Sequence, residues 1–238
     1  MILAPPLQPA TLLRRYKRFL ADVRLPDGRE LTVHTPNTGA MLGCSEPGSR
    51  VWLRDAGEGK RKYRYSWEMT ETPAGVMVGV NPLLANRLVD EGIAAGRIGQ
   101  LTGYAAIRPE VRYGVEQSRI DLLLEGAGGA ADCYVEIKSV TTCDPRGAAF
   151  FPDAVSVRAS RHLRELMEMV RQGQRAVIFF CVQRGDVHSV RPADEIDPRY
   201  GAALRAALAA GVEALAWRTR VTPGEVVLEE APLPVITG

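Results

Sequence analysis

The sequence predicts an α/β chain of the α+β kind: a small β-barrel first, then a mixed sheet flanked by helices. Three observations carry this. Up to about residue 80 the chain breaks into short alternating runs separated by Gly, Pro and Asp, the pattern of strands and turns. From Asn81 the apolar period becomes that of a helix. Further on, strand-like and helix-like segments alternate, and "RAVIFFCVQ" is apolar throughout, as a strand covered on both faces would be. A length of 238 residues suits one large domain or two small ones, and the expected division is 1–80 and 81–238.

"RYKRFLADVRL" alternates from Tyr16 onward and reads as a strand, closed by a tight turn at Pro26–Gly28. "RELTVHTPN", "SRVWLRDAG", "RKYRYSWEMTE" and "GVMVGVN" supply four more. Short strands joined by such turns suggest a closed or partly open barrel of OB type. Asn81 is placed to cap a helix with Pro82 at its first position; Leu83, Leu84, Leu88 and Val89 form its apolar stripe, and Gly96 closes it. "AIRPEVRYG", "RIDLLLEG" and "CYVEIKSV" are expected strands. "ASRHLRELMEMVRQG" is an amphipathic helix with Leu163, Leu166, Met167 and Val170 on one face, ending at Gly173. The buried strand follows, then the Ala-rich helix "PRYGAALRAALAAG" and a last strand, "VEALAWRTRV".

A composition with 46% hydrophobic and 24% charged residues is that of a soluble globular protein with material for a core. The net charge of +2 is too small to argue for a polyanionic partner by itself. Cys44, Cys133, Cys143 and Cys181 show no CxxC spacing, which argues against a zinc site and for free thiols in a reducing compartment. The start, "MILAPPLQPATLLRR", is broken by prolines and is no signal peptide, and no apolar run nears the length of a membrane span. A cytoplasmic protein with no membrane partner is expected.

The chemistry centres on "CYVEIKSV". Strand side chains alternate, so Glu136 and Lys138 share a face with Tyr134, while Val135, Ile137 and Ser139 take the other. Asp121 lies in a second strand between Ile120 and Leu122, both expected to face away from it. A carboxylate in such a place is costly unless paired or bound to a cation. If "EGAGGAADC" joins the two strands as a hairpin, Asp121 and Glu136 converge, and Glu91, late on the helix, is a third candidate. Two or three carboxylates suit Mg²⁺ or Mn²⁺, which would polarise a phosphoryl oxygen and acidify a bound water. Lys138 would position that water or stabilise charge growing on the phosphate. The competing reading is an Asp at a turn and a solvated Glu/Lys pair on an edge strand; the apolar flanks speak against it.

An Asp, then Glu-x-Lys on the next strand, after a helical Glu, is similar to the PD-(D/E)xK nuclease superfamily, with Ile120 where that motif carries proline. Longer blocks add to this: "HTPNTGAM", "SRIDLLLEG", "YVEIKSVT", "FFPDAVSVRASRHLREL" and "GQRAVIFFCVQ" together resemble the sugar fermentation stimulation protein A family over essentially the whole chain. That resemblance implies an N-terminal OB-like domain and a C-terminal restriction-endonuclease-like domain. It also implies a DNA-binding protein linked to regulation of sugar (maltose) metabolism. Two functions follow. In one, a metal-dependent DNA phosphodiesterase uses Asp121, Glu136 and Lys138 as catalytic residues and Glu91, Asp121 and Glu136 as metal ligands. In the other, a regulator keeps a nuclease-like fold and only binds DNA.

Basic residues interleaved with rings suit a nucleic-acid groove. Arg14, Arg15, Lys17 and Arg18 surround Tyr16 and Phe19; Lys60, Arg61, Lys62 and Arg64 surround Tyr63, Tyr65 and Trp67. The candidate DNA contacts are Arg15, Lys17, Arg18, Lys60, Arg61, Lys62, Arg64 and Trp67. Alternation puts Arg61, Tyr63, Tyr65 and Trp67 on one face and leaves open which row is core. The loop His34–Met41 suits phosphate binding through backbone N–H groups, or an Asx-type turn that shapes the barrel. Asp153 is placed to orient an active-site loop, and Arg158, Arg161 and His162 to reach a phosphate near the long helix's start; alternatively Ser156 or Ser160 caps that helix. His188 and "PADEID" read as loop and surface. The strandedness of the DNA is left open, as is the oligomeric state, for which a homodimer is the candidate.

Overall fold

The structure, a computed structural model, describes residues 1–57 and 62–238. Strands β1 (Gln8–Tyr16), β2 (Leu20–Arg24), β3 (Glu30–His34), β4 (Arg50–Asp55) and β5 (Tyr65–Glu71) run in the order β3-β2-β1-β4-β5. A parallel pairing of His34 with Ser66 joins β3 to β5 and closes the barrel, and β6 (Met77–Gly79) extends β5. Leu12, Val23, Val33, Leu53 and Trp67 fill its interior. The stretch read as one strand from Tyr16 is a hairpin: Lys17 (φ 49°) and Arg18 (φ 64°) turn the chain, and Tyr16 pairs with Leu20. Neither residue type advertises a left-handed turn, which is why the pattern hid it.

Helix α1 (Pro82–Ala94) starts as expected: the Asn81 side chain accepts from the Leu83 amide at 3.0 Å. Gly96, at φ 69°, follows its end. Next come β7 (Ala106–Tyr113), β8 (Ser118–Glu125), β9 (Cys133–Val140), β10 (Ala148–Phe151), α2 (Val157–Arg171) and β11 (Arg175–Val182). The chain ends with β12 (Ser189–Pro192), α3 (Pro198–Ala209), β13 (Glu213–Val221) and β14 (Val226–Pro232). Six strands form one sheet, β14-β13-β11-β9-β8-β7, in which β9, β11 and β13 are parallel and the outer pairings antiparallel. β10 and β12 pair separately. The sequence showed neither of these short strands, nor that β14 follows the strand expected to be last.

Parallel neighbours need crossovers, and α2 and α3 supply them. Both pack on one face, over Ile178, Phe180 and Val182. α1 covers the other, over Val135, Ile137, Val177 and Phe179. That second core also takes in Trp52 and Met69 from the barrel, so barrel and sheet share buried apolar material. Among the described residues, no helix is long and apolar enough to cross a membrane.

Candidate functional site

β9 carries Glu136 and Lys138 on the face beneath α2, where they are only 2% and 8% exposed. Glu136 Oε1 accepts from Lys138 Nζ at 2.6 Å and from Nδ1 of His162. One turn earlier on α2, Arg158 Nε donates to His162 Nε2 at 3.2 Å. Those partners assign the imidazole hydrogen to Nδ1, where it meets the carboxylate. Burial pushes the Glu136 carboxyl up, but the Lys138 charge and the His162 ring outweigh it and hold the group below its ordinary value. The second oxygen, Oε2, is buried without a partner.

Asp121 stands where β8 parts from β9. The ladder runs through Leu122, Leu123 and Leu124; beyond it the Asp121 side chain bridges the gap, accepting from the Ile137 amide at 2.7 Å and from Asn86 Nδ2 of α1 at 2.9 Å. Its neighbours do not share a face as expected: Ile120 joins the core under α2 and Leu122 the core under α1. Burial first, and then the charge of Glu136, push the Asp121 carboxyl up to about 6. The two carboxylates therefore interact, as convergent strands predict.

Glu91 does not join them. Its half-exposed carboxylate pairs with the Met1 ammonium at 3.3 Å. The α1 side chain that reaches Asp121 is Asn86, five residues earlier and roughly 140° around the axis. Among the described residues, no three His, Cys, Asp or Glu side chains gather into a metal-holding group. A hard cation is nonetheless compatible with the remaining pair. Glu136 Oε2 is an unmatched buried acceptor, and Asp121 is a carboxylate opposed by a like charge, hydrogen-bonded by neutral donors and only partly offset by the Lys138 charge.

The nucleic-acid candidates separate into three groups. Arg15 is a loop clamp: its guanidinium donates to the carbonyls of Asn37, Gly39 and Arg18 at 3.0, 2.8 and 2.8 Å, leaving little for a phosphate. Trp67 is wholly buried in the barrel, with Nε1 donating to the Met69 carbonyl at 2.8 Å, so it cannot stack on a base. Arg64 is held by Asp55 through two bonds of 2.7 and 2.6 Å. Lys17 and Arg18 are exposed at the hairpin tip, and Lys62 lies 5.6 Å over the Tyr63 ring. Lys60 and Arg61 lie outside the described residues.

The His34–Met41 loop meets the sheet domain at Asp153. Asp153 Oδ2 accepts from the Met41 amide at 2.9 Å, and a Cβ on Gly39 would stand 2.6 Å from the same oxygen, so the approach needs glycine. Between loop and sheet lies a cleft of about 360 Å³, lined among others by Arg18, Thr38, Lys138, Asp153 and Arg158. Ser156 caps α2, accepting from the Ala159 amide at 3.1 Å. Its own amide donates to Asp197, so one residue of the "PADEID" run expected at the surface is a buried cap shared by α2 and α3. His188 stays at the surface and meets the Arg146 carbonyl. Sequence reasoning missed Asn86 and Gln183. Gln183 Nε2 joins Ser139 Oγ at 2.6 Å to the Asn81 carbonyl at 3.1 Å, across the junction of barrel and sheet. The helical phase opposite Asp121 was the available signal for Asn86; no local pattern pointed to Gln183.

Comparison with known proteins bears on this architecture. The family described as Sugar fermentation stimulation protein RE domain matches residues 83–225, and that described as SfsA N-terminal OB domain matches residues 13–80. A protein named sugar fermentation stimulation protein homolog from Thioalkalivibrio sulfidiphilus is 60% identical over 225 residues, 94% of each chain. Its namesake from Geobacter metallireducens is 57% identical over 99% of this chain and 100% of its own. Among solved structures, that of Pyrococcus furiosus SfsA in complex with Ca²⁺ is similar with a TM-score of 0.88 at 31% identity, covering 99% of this chain and 98% of that one. With an OB barrel leading a mixed sheet and both parts matched, the chain belongs to the sugar fermentation stimulation protein family.

Proposed function

We propose that this is a cytoplasmic DNA-binding protein whose Asp121, Glu136 and Lys138 form a Mg²⁺- or Mn²⁺-dependent phosphodiesterase site. The observation that carries the reading is the pair of interacting carboxylates, one with an unpartnered buried oxygen, beside a buried lysine at the wall of a basic cleft. A bound divalent cation would supply Lewis acidity at a phosphoryl oxygen and a more acidic water. The remaining work falls to the chain. Arg158 and His162 fix the Glu136 carboxylate from α2, and Asn86 and the Ile137 amide fix Asp121. Lys138 points an ammonium at the wall of the cleft, where it would hold a water or offset charge on the phosphate. The Pyrococcus furiosus relative forms a complex with Ca²⁺, which supports a hard cation in this fold.

A second reading is a DNA-binding regulator of sugar (maltose) metabolism without cleavage, in keeping with the name its relatives carry. It is favoured by the engagement of Glu136 Oε1 with Lys138 and His162, which compensates that charge from within the chain. Calorimetric titration of Mg²⁺ and Mn²⁺ into the protein and into Asp121→Ala, with cleavage scored on single- and double-stranded DNA, separates the two. Metal binding and cleavage lost together in the variant support the enzyme. DNA retained uncut, with no heat of metal binding, supports the regulator.

A further inference from the structure

Glu136 and Lys138 lie below the surface, and access to Lys138 runs through a seam between the two domains. The first compartment of that seam is the 360 Å³ cleft, with Arg18 and Thr38 on the barrel side and Lys138 and Arg158 on the sheet side. A second, of about 720 Å³, is walled by His34, Arg54, Lys62 and Tyr63 of the barrel domain and by Leu83 and Arg87 of α1. The two adjoin. The chain passes from His34 and Pro36 in the second to Asn37 in the first, and α1 presents Pro82 to the first and Leu83 to the second.

Building on the DNA-binding reading, we propose that the nucleic acid is taken as a single strand threaded along this seam, not as a duplex laid across it. Three features point there. Each compartment has the size of a pocket that encloses a small ligand, roughly 300–1,000 Å³, which suits a nucleotide or two. A duplex is a bulky, stiff rod, about 12 Å across its major groove alone, whereas a single strand is flexible enough to follow the seam down to Lys138, which is only 8% exposed. The chemistry also alternates as a single-strand track requires: cations for the backbone in both compartments, and in the second the Tyr63 ring as a stacking platform. Among the described residues, no carboxylate forms an ion pair with Arg18, Arg87 or Arg158, and these three cations outnumber the two carboxylates that share the compartments, Asp153 in the first and Glu68, already paired with Arg54, in the second. Finally, Val155 on the sheet-side lip is 70% exposed and Val157 beside it 79%, apolar surface that suits the face of an unpaired base.

The test is fluorescence anisotropy in EDTA with three labelled DNAs of equal length: a single strand, a blunt duplex and a duplex with a single-stranded overhang. The single strand and the overhang should bind about tenfold tighter than the blunt duplex. Tyr63→Ala and Arg87→Ala should each weaken single-strand binding about fivefold or more and leave duplex binding nearly unchanged. Should Tyr63→Ala fail to fold, Arg87→Ala, at an exposed position, decides alone. Equal affinity for blunt duplex and single strand, or variants without effect on the single strand, overturns the proposal. Cleavage with Mg²⁺ or Mn²⁺, scored separately, keeps the two readings apart. A duplex bound equally well and cut would sink the threading and leave the metal site standing. A single strand bound selectively and never cut would do the reverse.

Discussion

The two faces of β9 meet different environments. Toward α1, Val135 and Ile137 pack against Phe179, Cys181 and Leu88, and the cluster is almost entirely hydrocarbon and sulfur. Toward α2, the same strand offers Glu136 and Lys138 to a layer that also buries His162 and Glu165. Glu136 Oε2 and the hydroxyls of Tyr113 and Tyr200 are buried there without partners, a carboxylate oxygen among them, whereas the α1 side leaves only neutral amide and indole atoms, Gln183 Oε1 and Trp217 Nε1, in that state among the described residues. Burial, and then the charge of Glu136, raise both tyrosine hydroxyls far above their ordinary value, so they stay protonated. An unmatched buried polar group costs roughly 1–3 kcal/mol. One face therefore holds the molecule together, and the other gives up stability to keep polar groups ready.

That contrast can be broken by mutation. Glu136→Ala leaves Lys138 buried without its carboxylate and should cost about 3–5 kcal/mol in urea unfolding, as well as any cleavage. Adding Lys138→Met should restore most of the stability and none of the cleavage; a single variant as stable as the parent would refute the account of this face. Across the sheet, Phe179→Ala removes a ring stacked 5.5 Å from Trp217 and should also cost about 3–5 kcal/mol. Its folded fraction, however, should titrate metal like the parent.

Smaller effects sharpen the comparison. With the Asp121 carboxyl raised to about 6, a bound cation must displace its proton at low pH. Calorimetric metal affinity should rise about tenfold from pH 5 to pH 7 and level off above, because the ionised fraction of Asp121 rises by that factor. Without metal the sign is opposite. A raised acid stabilises the fold below its unfolded pKa, and that contribution fades as the pH climbs through 6. Ser156→Ala, which uncaps α2, should lower stability by about 1 kcal/mol, seen as a small fall in melting temperature with metal binding retained.

The sequence made legible much of what is local, though not the Lys17–Arg18 turn or the break in alternation between Ile120 and Leu122. Asn81 with Pro82 and the alternation of Glu136 and Lys138 each depend on a few adjacent residues and lie where the pattern placed them, and of the two serines open as caps of α2 it is Ser156 that takes the role. Asp121 and Glu136 are brought together by a hairpin, the shortest long-range contact there is. Trp67 escapes a sequence reading because alternation sorts residues into two rows without saying which is inside. Residue type favours Glu91 over Asn86, although helical phase favours Asn86 and excludes Glu91. The bond between Asp153 and Met41 spans 112 positions and leaves no trace in either segment.

That last bond has a thermodynamic consequence. One loop is gripped by Arg15 from the barrel and by Asp153 from the approach to α2, the helix that carries His162 to Glu136. A ligand that orders the loop thereby also favours one placement of α2, and a cation at the carboxylates favours that placement from the other end. Linkage then requires reciprocity: whatever factor a cation adds to the affinity of a ligand at the loop, that ligand must add to the affinity of the cation.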